Sequence, residues 1–298
     1  MSRSINPEGI SIPAVTPFNS DESIAPAAMK QNLQWWNRFP IAGYLILGST
    51  GEPFNLTTDE RMKIIEAARE EIPSSRFMLV GTGQQTTRET IDLTKQAAKV
   101  GADAALVVTP FYYKGAMRHS VLVDHFRAVA DESPIPVLLY SVPIFTSVTI
   151  ETPTIVELAQ HPNIIGMKDS TGNYNALVDI LRQVPGSFKV LYGAAPAVYG
   201  SLCMGAVGGT LAVANMAPDL CSSIYTAYAS GNHNAARGFQ MKLATLLEKT
   251  VTKYGIGGIK AALDLRGAYG GRPRRPLPYP DSNGRFEIEQ ALREAELL

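Results

Sequence analysis

Eight short, β-rich apolar runs recur along this 298-residue chain, each followed by a longer stretch, and that alternation limits the fold more than any other feature. The runs cover residues 10–16, 44–48, 77–81, 104–109, 136–141, 164–168, 189–192 and 209–214. Near-continuous apolar strands, each leading into a helical stretch, call for a parallel sheet covered on its outer side. Among the intervening stretches, 58–71, 87–100 and 119–131 carry helical patterns. In the second, Thr87 is placed to cap, and Ile91, Leu93, Ala97 and Ala98 turn toward one face. An open doubly wound sheet accommodates the same alternation, but eight units over roughly 220 residues favour closure into a (β/α)8 barrel. The rest reads as helical, at 241–253, 259–266 and 286–296, with a Pro-, Gly- and Arg-rich wrapping loop at 270–280. The expected organisation is a catalytic α/β barrel over 1–226 and a C-terminal helical region over 227–298.

Charge narrows the partners. Lys plus Arg and Asp plus Glu both number 27, and no long basic run occurs, so nucleic acid and anionic membranes are poor fits and a small molecule is a better one. At 45% hydrophobic and 18% charged residues, the chain is an ordinary globular sequence. No window reaches the roughly 18 apolar residues of a membrane helix, and the N-terminal MSRSINPEG lacks the apolar core of a leader. Cys203 and Cys221 both sit in apolar segments and read as free buried thiols, so a cytoplasmic protein is expected. His119, His125, His161 and His233 are scattered and no HExxH occurs, so no metal is expected. Gly81-Thr82-Gly83 lacks the third glycine of a dinucleotide loop, and no dissociable cofactor is expected either.

In a barrel, chemistry belongs at the C-terminal ends of the strands, and four of these ends carry unexpected polar residues. The second leads into Gly48-Ser49-Thr50-Gly51-Glu52, whose glycines, Gly51 included, let backbone amides approach a ligand. The fourth leads into Thr109-Pro110-Phe111-Tyr112-Tyr113, the fifth ends in Tyr140-Ser141-Val142-Pro143, and the sixth ends in Lys168. A lysine closing a buried apolar strand leaves water, which favours the neutral amine; that amine can attack a ketone, and the protonated imine is an electron sink for carbon–carbon cleavage. The structural alternatives are a lysine paired with a carboxylate such as Asp169, or one that snorkels to solvent. Tyr140, one strand away, can point into the same mouth and relay protons with Ser49 or Thr50; its own alternative is a half-buried ring bonded to backbone.

At these residues the chain resembles the dihydrodipicolinate synthase and N-acetylneuraminate lyase family, from Pro13-Ala14-Val15-Thr16-Pro17-Phe18 through the C-terminal helices. The resemblance rests on Gly48-Ser49-Thr50-Gly51-Glu52, on Tyr140 three residues before Pro143, and on Gly166-Met167-Lys168-Asp169-Ser170. It implies that Lys168 forms an imine with pyruvate, that Tyr140 is the acid–base, and that Ser49 and Thr50 hold the pyruvyl carboxylate or relay protons. Tyr112 corresponds to a tyrosine that family members lend across a subunit interface, which implies a homo-oligomer, usually a tetramer. Gly193 and Thr210 correspond to positions beside the bound keto acid. The dihydrodipicolinate synthases carry an arginine where this chain has Phe145, and a phenyl ring cannot replace a guanidinium fork.

The likeness is greatest to 4-hydroxy-2-oxoglutarate aldolases, in which Ser170 is implicated at the far end of the substrate; Thr50 departs from their usual Asn. The expected function is therefore a class I aldolase that cleaves a 4-hydroxy-2-oxo acid to pyruvate and an aldehyde such as glyoxylate, with Ile144 and Phe145 making the aldehyde side apolar. A 2-keto-3-deoxy sugar acid aldolase or dehydratase is the alternative reading. A dihydrodipicolinate synthase and a keto-acid-binding barrel without catalysis come after it.

Overall fold

The structure, a computed structural model, describes residues 5–298; the reading of residues 1–4 as free of a leader lies outside the described residues. Eight parallel strands close into a barrel in sequence order: β1 (Gly9–Pro13), β2 (Gly43–Ile46), β3 (Phe77–Gly81), β4 (Ala104–Val108), β5 (Val137–Ser141), β6 (Ile164–Asp169), β7 (Lys189–Tyr192) and β8 (Gly208–Thr210). Closure is made by β1 against β8, where Ser11 is the register partner of Thr210. The expected TIM barrel is the observed fold.

Strand alternation sorts the side chains. Leu45, Leu79, Leu106, Leu138 and Leu191 form one buried cluster with Tyr140, filling the barrel from within. The opposite faces of the same strands, among them Val107, Leu139, Met167 and Val190, pack on helical residues such as Leu122, Phe126, Leu177 and Ile180. Burying each such side chain is worth about 1.5–3 kcal/mol, and burial on both faces explains why the strands read as unbroken apolar runs.

Helix starts follow local chemistry. Thr58–Glu71 begins with a reciprocal cap: Thr57 Oγ1 accepts the Glu60 amide, and Glu60 accepts the Thr57 amide. Thr87–Val100 is capped by Thr86, not by the expected Thr87; Thr86 Oγ1 accepts the Glu89 amide at 3.1 Å. The Thr87 hydroxyl instead meets His125 Nδ1 at 2.9 Å. This helix ends at Gly101, whose φ of 104° suits a residue without a Cβ.

β1 and β8 stop three and four residues short of their expected ends. Beyond Pro13 and Thr210 the chain turns inward on Asn215, whose amide accepts from Val15 N–H and donates to the Pro13 carbonyl, so residues 212–215 form a 3-10 turn. Cys221 is buried as expected, but Cys203 is exposed, because it lies at the outer end of the helix Val198–Met204. After the helix Pro218–Ala229, the C-terminal helices are His233–Leu247, Lys253–Leu265 and Ser282–Glu294, the first two joined by a π turn at Glu248–Thr252. The first starts eight residues before the expected 241, at an Asn232 cap. The loop before the last helix does wrap: Arg274 forks onto both oxygens of Glu60 at 2.7 and 2.9 Å and donates to the Glu22 carbonyl. No described helix is long and apolar enough to cross a membrane.

Candidate active site

Parallel pairing of β5 with β6 sets Tyr140 directly opposite Lys168. Both are buried, Lys168 at 5% exposure. The Lys168 ammonium donates to the Tyr140 oxygen at 3.2 Å, and Ser49 Oγ lies 3.3 Å from that same oxygen. Three of the four residues expected to be catalytic are thus one hydrogen-bonded chain. Burial pushes the Tyr140 phenol up, but the Lys168 charge and hydrogen bonds from Ser49, Lys168 and Ser170 outweigh it and hold the group below its ordinary value.

Among the described residues Lys168 has no carboxylate partner. Alternation turns the adjacent Asp169 to the other face of β6, where its Oδ1 accepts the Thr171 amide and burial raises its pKa. Nor does Lys168 snorkel, since it stays inside the mouth.

Ser49, Thr50 and Gly51 form a single 3-10 turn after β2, closed by the Gly51 amide on the Gly48 carbonyl and tied down by Thr16 Oγ1 on the Gly51 carbonyl at 2.6 Å. Ser170 and Gly193 meet at the ends of β6 and β7. A Cβ on Gly193 would collide with Ser170 Oγ and stand 3.1 Å from Lys168 Cε, so only glycine leaves these two side chains where they are. The Thr210 and Ser11 hydroxyls share a hydrogen bond of 2.7 Å at the β1–β8 closure. Above the turn a cavity of about 200 Å³ opens between Ser49, Phe54, Val108, Phe111 and Phe145. No lysine or arginine lines it among the described residues.

Tyr112 is not brought to this group within the chain. It is 74% exposed, with its ring edge-on to Tyr113. Phe145, 65% exposed, stands at the rim. The histidines lie apart: His119 meets Glu157, His161 meets Asp131, and His125 is buried against Thr87, its pKa pushed down to about 4 by burial. Sequence reasoning missed Lys260, whose ammonium makes a buried ion pair with Glu52 at 2.7 Å. A lone lysine within the apolar run 256–263 was the available signal.

A buried lysine at the mouth of a (β/α)8 barrel, beside a phenol and without a counter-carboxylate, is the arrangement of a class I aldolase, a carbon–carbon lyase. The chain belongs to the Dihydrodipicolinate synthetase family, which it matches over residues 6–295. It is 35% identical over 292 residues to the probable mitochondrial 4-hydroxy-2-oxoglutarate aldolase of Emericella nidulans, covering 96% of this chain and 94% of the relative. It is 33% identical over 303 residues to the L-threo-3-deoxy-hexylosonate aldolase of Hypocrea jecorina, covering 97% and 96%. Among solved structures, the chloride-inhibited dihydrodipicolinate synthase of Acinetobacter baumannii complexed with pyruvate is similar with a TM-score of 0.93 at 29% identity, over 98% of this chain and 100% of that one.

Proposed function

We propose that the protein cleaves a 4-hydroxy-2-oxo acid, 4-hydroxy-2-oxoglutarate first among them, to pyruvate and an aldehyde such as glyoxylate. The observation that carries this reading is the buried Lys168 side chain, its Nζ 3.2 Å from the Tyr140 oxygen and without a carboxylate partner among the described residues. The amine attacks the C2 ketone, and the carbinolamine oxygen leaves as water with a proton from Tyr140, giving the iminium and the Tyr140 phenolate. Tyr140 takes the proton of the C4 hydroxyl, the C3–C4 bond breaks, and its electron pair flows to the imine nitrogen as an enamine. The aldehyde leaves; protonation at C3 and hydrolysis then free pyruvate and the lysine. Ser49 extends the proton path from Tyr140, and the turn Ser49–Gly51 receives the C1 carboxylate. Ser170 and Gly193 border the imine, and Thr210 closes the floor.

A sugar-acid substrate is the second reading. It is favoured by the lack of a basic side chain around the mouth cavity, which suits a polyhydroxy tail better than a second carboxylate, and by Thr50. The Hypocrea relative carries a name of that kind. The exposed pair Tyr112 and Tyr113 supports extending the proposal to a homotetramer, Tyr112 completing the site of a neighbouring copy. The two free cysteines support residence in a reducing compartment, the cytoplasm in our reading.

Borohydride reduction after incubation with pyruvate, followed by peptide mapping, tests the mechanism. A single adduct on Lys168 is expected; labelling elsewhere, or none, removes it. A panel of 4-hydroxy-2-oxo acids then separates the two readings, and a dehydratase is distinguished by releasing no pyruvate.

A further inference from the structure

The turn that presents Ser49, Thr50 and Gly51 ends in Glu52, which borders the mouth cavity and is anchored on its other side to the C-terminal part of the chain. Glu52 adopts the left-handed conformation, with a φ of 56°, which a non-glycine residue keeps only under outside constraint. Its side chain is fully buried and reaches the C-terminal helices. One carboxylate oxygen pairs with Lys260 Nζ at 2.7 Å; the other accepts the Arg274 amide at 2.9 Å. Lys260 is equally buried, lies 4.5 Å from the centre of the Phe18 ring and donates to the Arg272 carbonyl at 3.3 Å. The hold is specific: two segments distant in sequence, the helix Lys253–Leu265 and the loop at Arg274, converge on one carboxylate directly after the turn.

We infer that Glu52 and Lys260 are positioning residues, whose buried ion pair fixes the turn Ser49–Gly51 in the orientation that receives the keto-acid carboxylate. The inference rests on the proposed binding of that carboxylate by the turn. A buried ion pair adds little net stability compared with well-packed apolar side chains, since desolvation offsets the attraction. What it supplies is a fixed geometry, and here that geometry is set against a strained backbone. The C-terminal helices thereby act on the keto-acid carboxylate through the turn, in addition to lining the mouth cavity with Ile256.

The test is a double substitution, Glu52→Gln with Lys260→Met, which removes both charges together and leaves no lone buried ion. Pyruvate-dependent borohydride trapping at Lys168 gives the half-saturating pyruvate concentration, and thermal melting gives the fold. The expected result is a rise of about tenfold in half-saturation, with the trapped yield at saturating pyruvate and the melting temperature near those of the unmodified protein. In turnover, KM rises while kcat changes little, a split that general destabilisation does not produce. Glu52→Gln alone keeps the side-chain shape and an acceptor for the Arg274 amide but strands the Lys260 charge; it is expected to raise half-saturation at least as much, with a lower melting temperature. Native half-saturation in a folded double variant, or in the single variant should the double one not fold, overturns the inference. Failure of the aldolase reading shows separately, as no trapping in the unmodified protein before any substitution is made.

Discussion

Lys168 and Tyr140 are direct register partners on neighbouring parallel strands, and the amine donates to the phenol oxygen at 3.2 Å. Strand pairing, rather than a loop, thus sets the distance between the proposed nucleophile and its proton carrier, and packing of the inner leucines holds the Tyr140 ring. Sites held on rigid elements need little reorganisation during reaction.

Replacing Lys168 tests the nucleophile. Lys168→Met keeps the length of the stem in the barrel and is expected to fold, yet turnover should fall by roughly 10⁴-fold or more, because no other group forms the imine. Steady-state rates together with a melting curve decide it; a folded variant with substantial turnover would falsify the imine mechanism.

Tyr140→Phe removes only an oxygen. A positioned acid–base is worth about 10²–10⁴-fold, so kcat should drop within that range while pyruvate is still trapped on Lys168, more slowly. Native kcat in this variant would give the proton transfers to another group.

The electrostatics of the pair have a direction that can be measured. Burial alone pushes the Tyr140 phenol up, and the Lys168 charge is the main force against it. In Lys168→Met that opposition is gone, so the Tyr140 transition moves to higher pH. Tyrosinate absorbance, as the difference between Lys168→Met and its double variant with Tyr140→Phe, reports the shift; a transition that stays put or falls contradicts the coupling. The sign for stability is the reverse of a raised group. A depressed phenol adds stability at pH above its unfolded value, and that contribution disappears as pH falls through the folded one.

Much of this site was legible in the sequence, for a definite reason. Parallel strands buried on both faces leave an unbroken apolar signature, so a polar residue closing one, such as Lys168 or Tyr140, stands out. The ends of β1 and β8 were not legible, because Asn215 draws the chain away through side-chain bonds to residues some two hundred positions earlier. Thr87, expected to cap its helix, has its hydroxyl on His125 instead, a tertiary contact that nothing local marks. Glu52 lay within a recognised motif, but its partner Lys260 comes from the C-terminal helices, and nothing local marks two such residues as a pair.

Gly193 has a testable cost. A methyl there would meet Ser170 Oγ and Lys168 Cε, so Gly193→Ala must move one of them. Overpacking of this kind costs about 1–3 kcal/mol, and the displaced Lys168 should trap pyruvate more slowly. Melting and trapping rates measured together should both decline. A variant with native values for both would mean that Ser170 rotates away freely and has no fixed place in the site.

Phe145→Arg probes the aldehyde side. The ring is 65% exposed, so the substitution should leave stability within about 0.5 kcal/mol of the original, as is usual for surface positions. Among the described residues no basic side chain lines the mouth cavity, and a guanidinium at this rim supplies a charge-assisted partner for a second carboxylate. For a dicarboxylic substrate KM should fall by roughly tenfold, equivalent to about 1.4 kcal/mol, while a polyhydroxy acid of the same length is unaffected. That divergence between the two substrates would identify position 145 as the one reading the distal group. A parallel change in both would show the arginine acting on the shared keto-acid end, and no change in either would move the aldehyde half away from this rim.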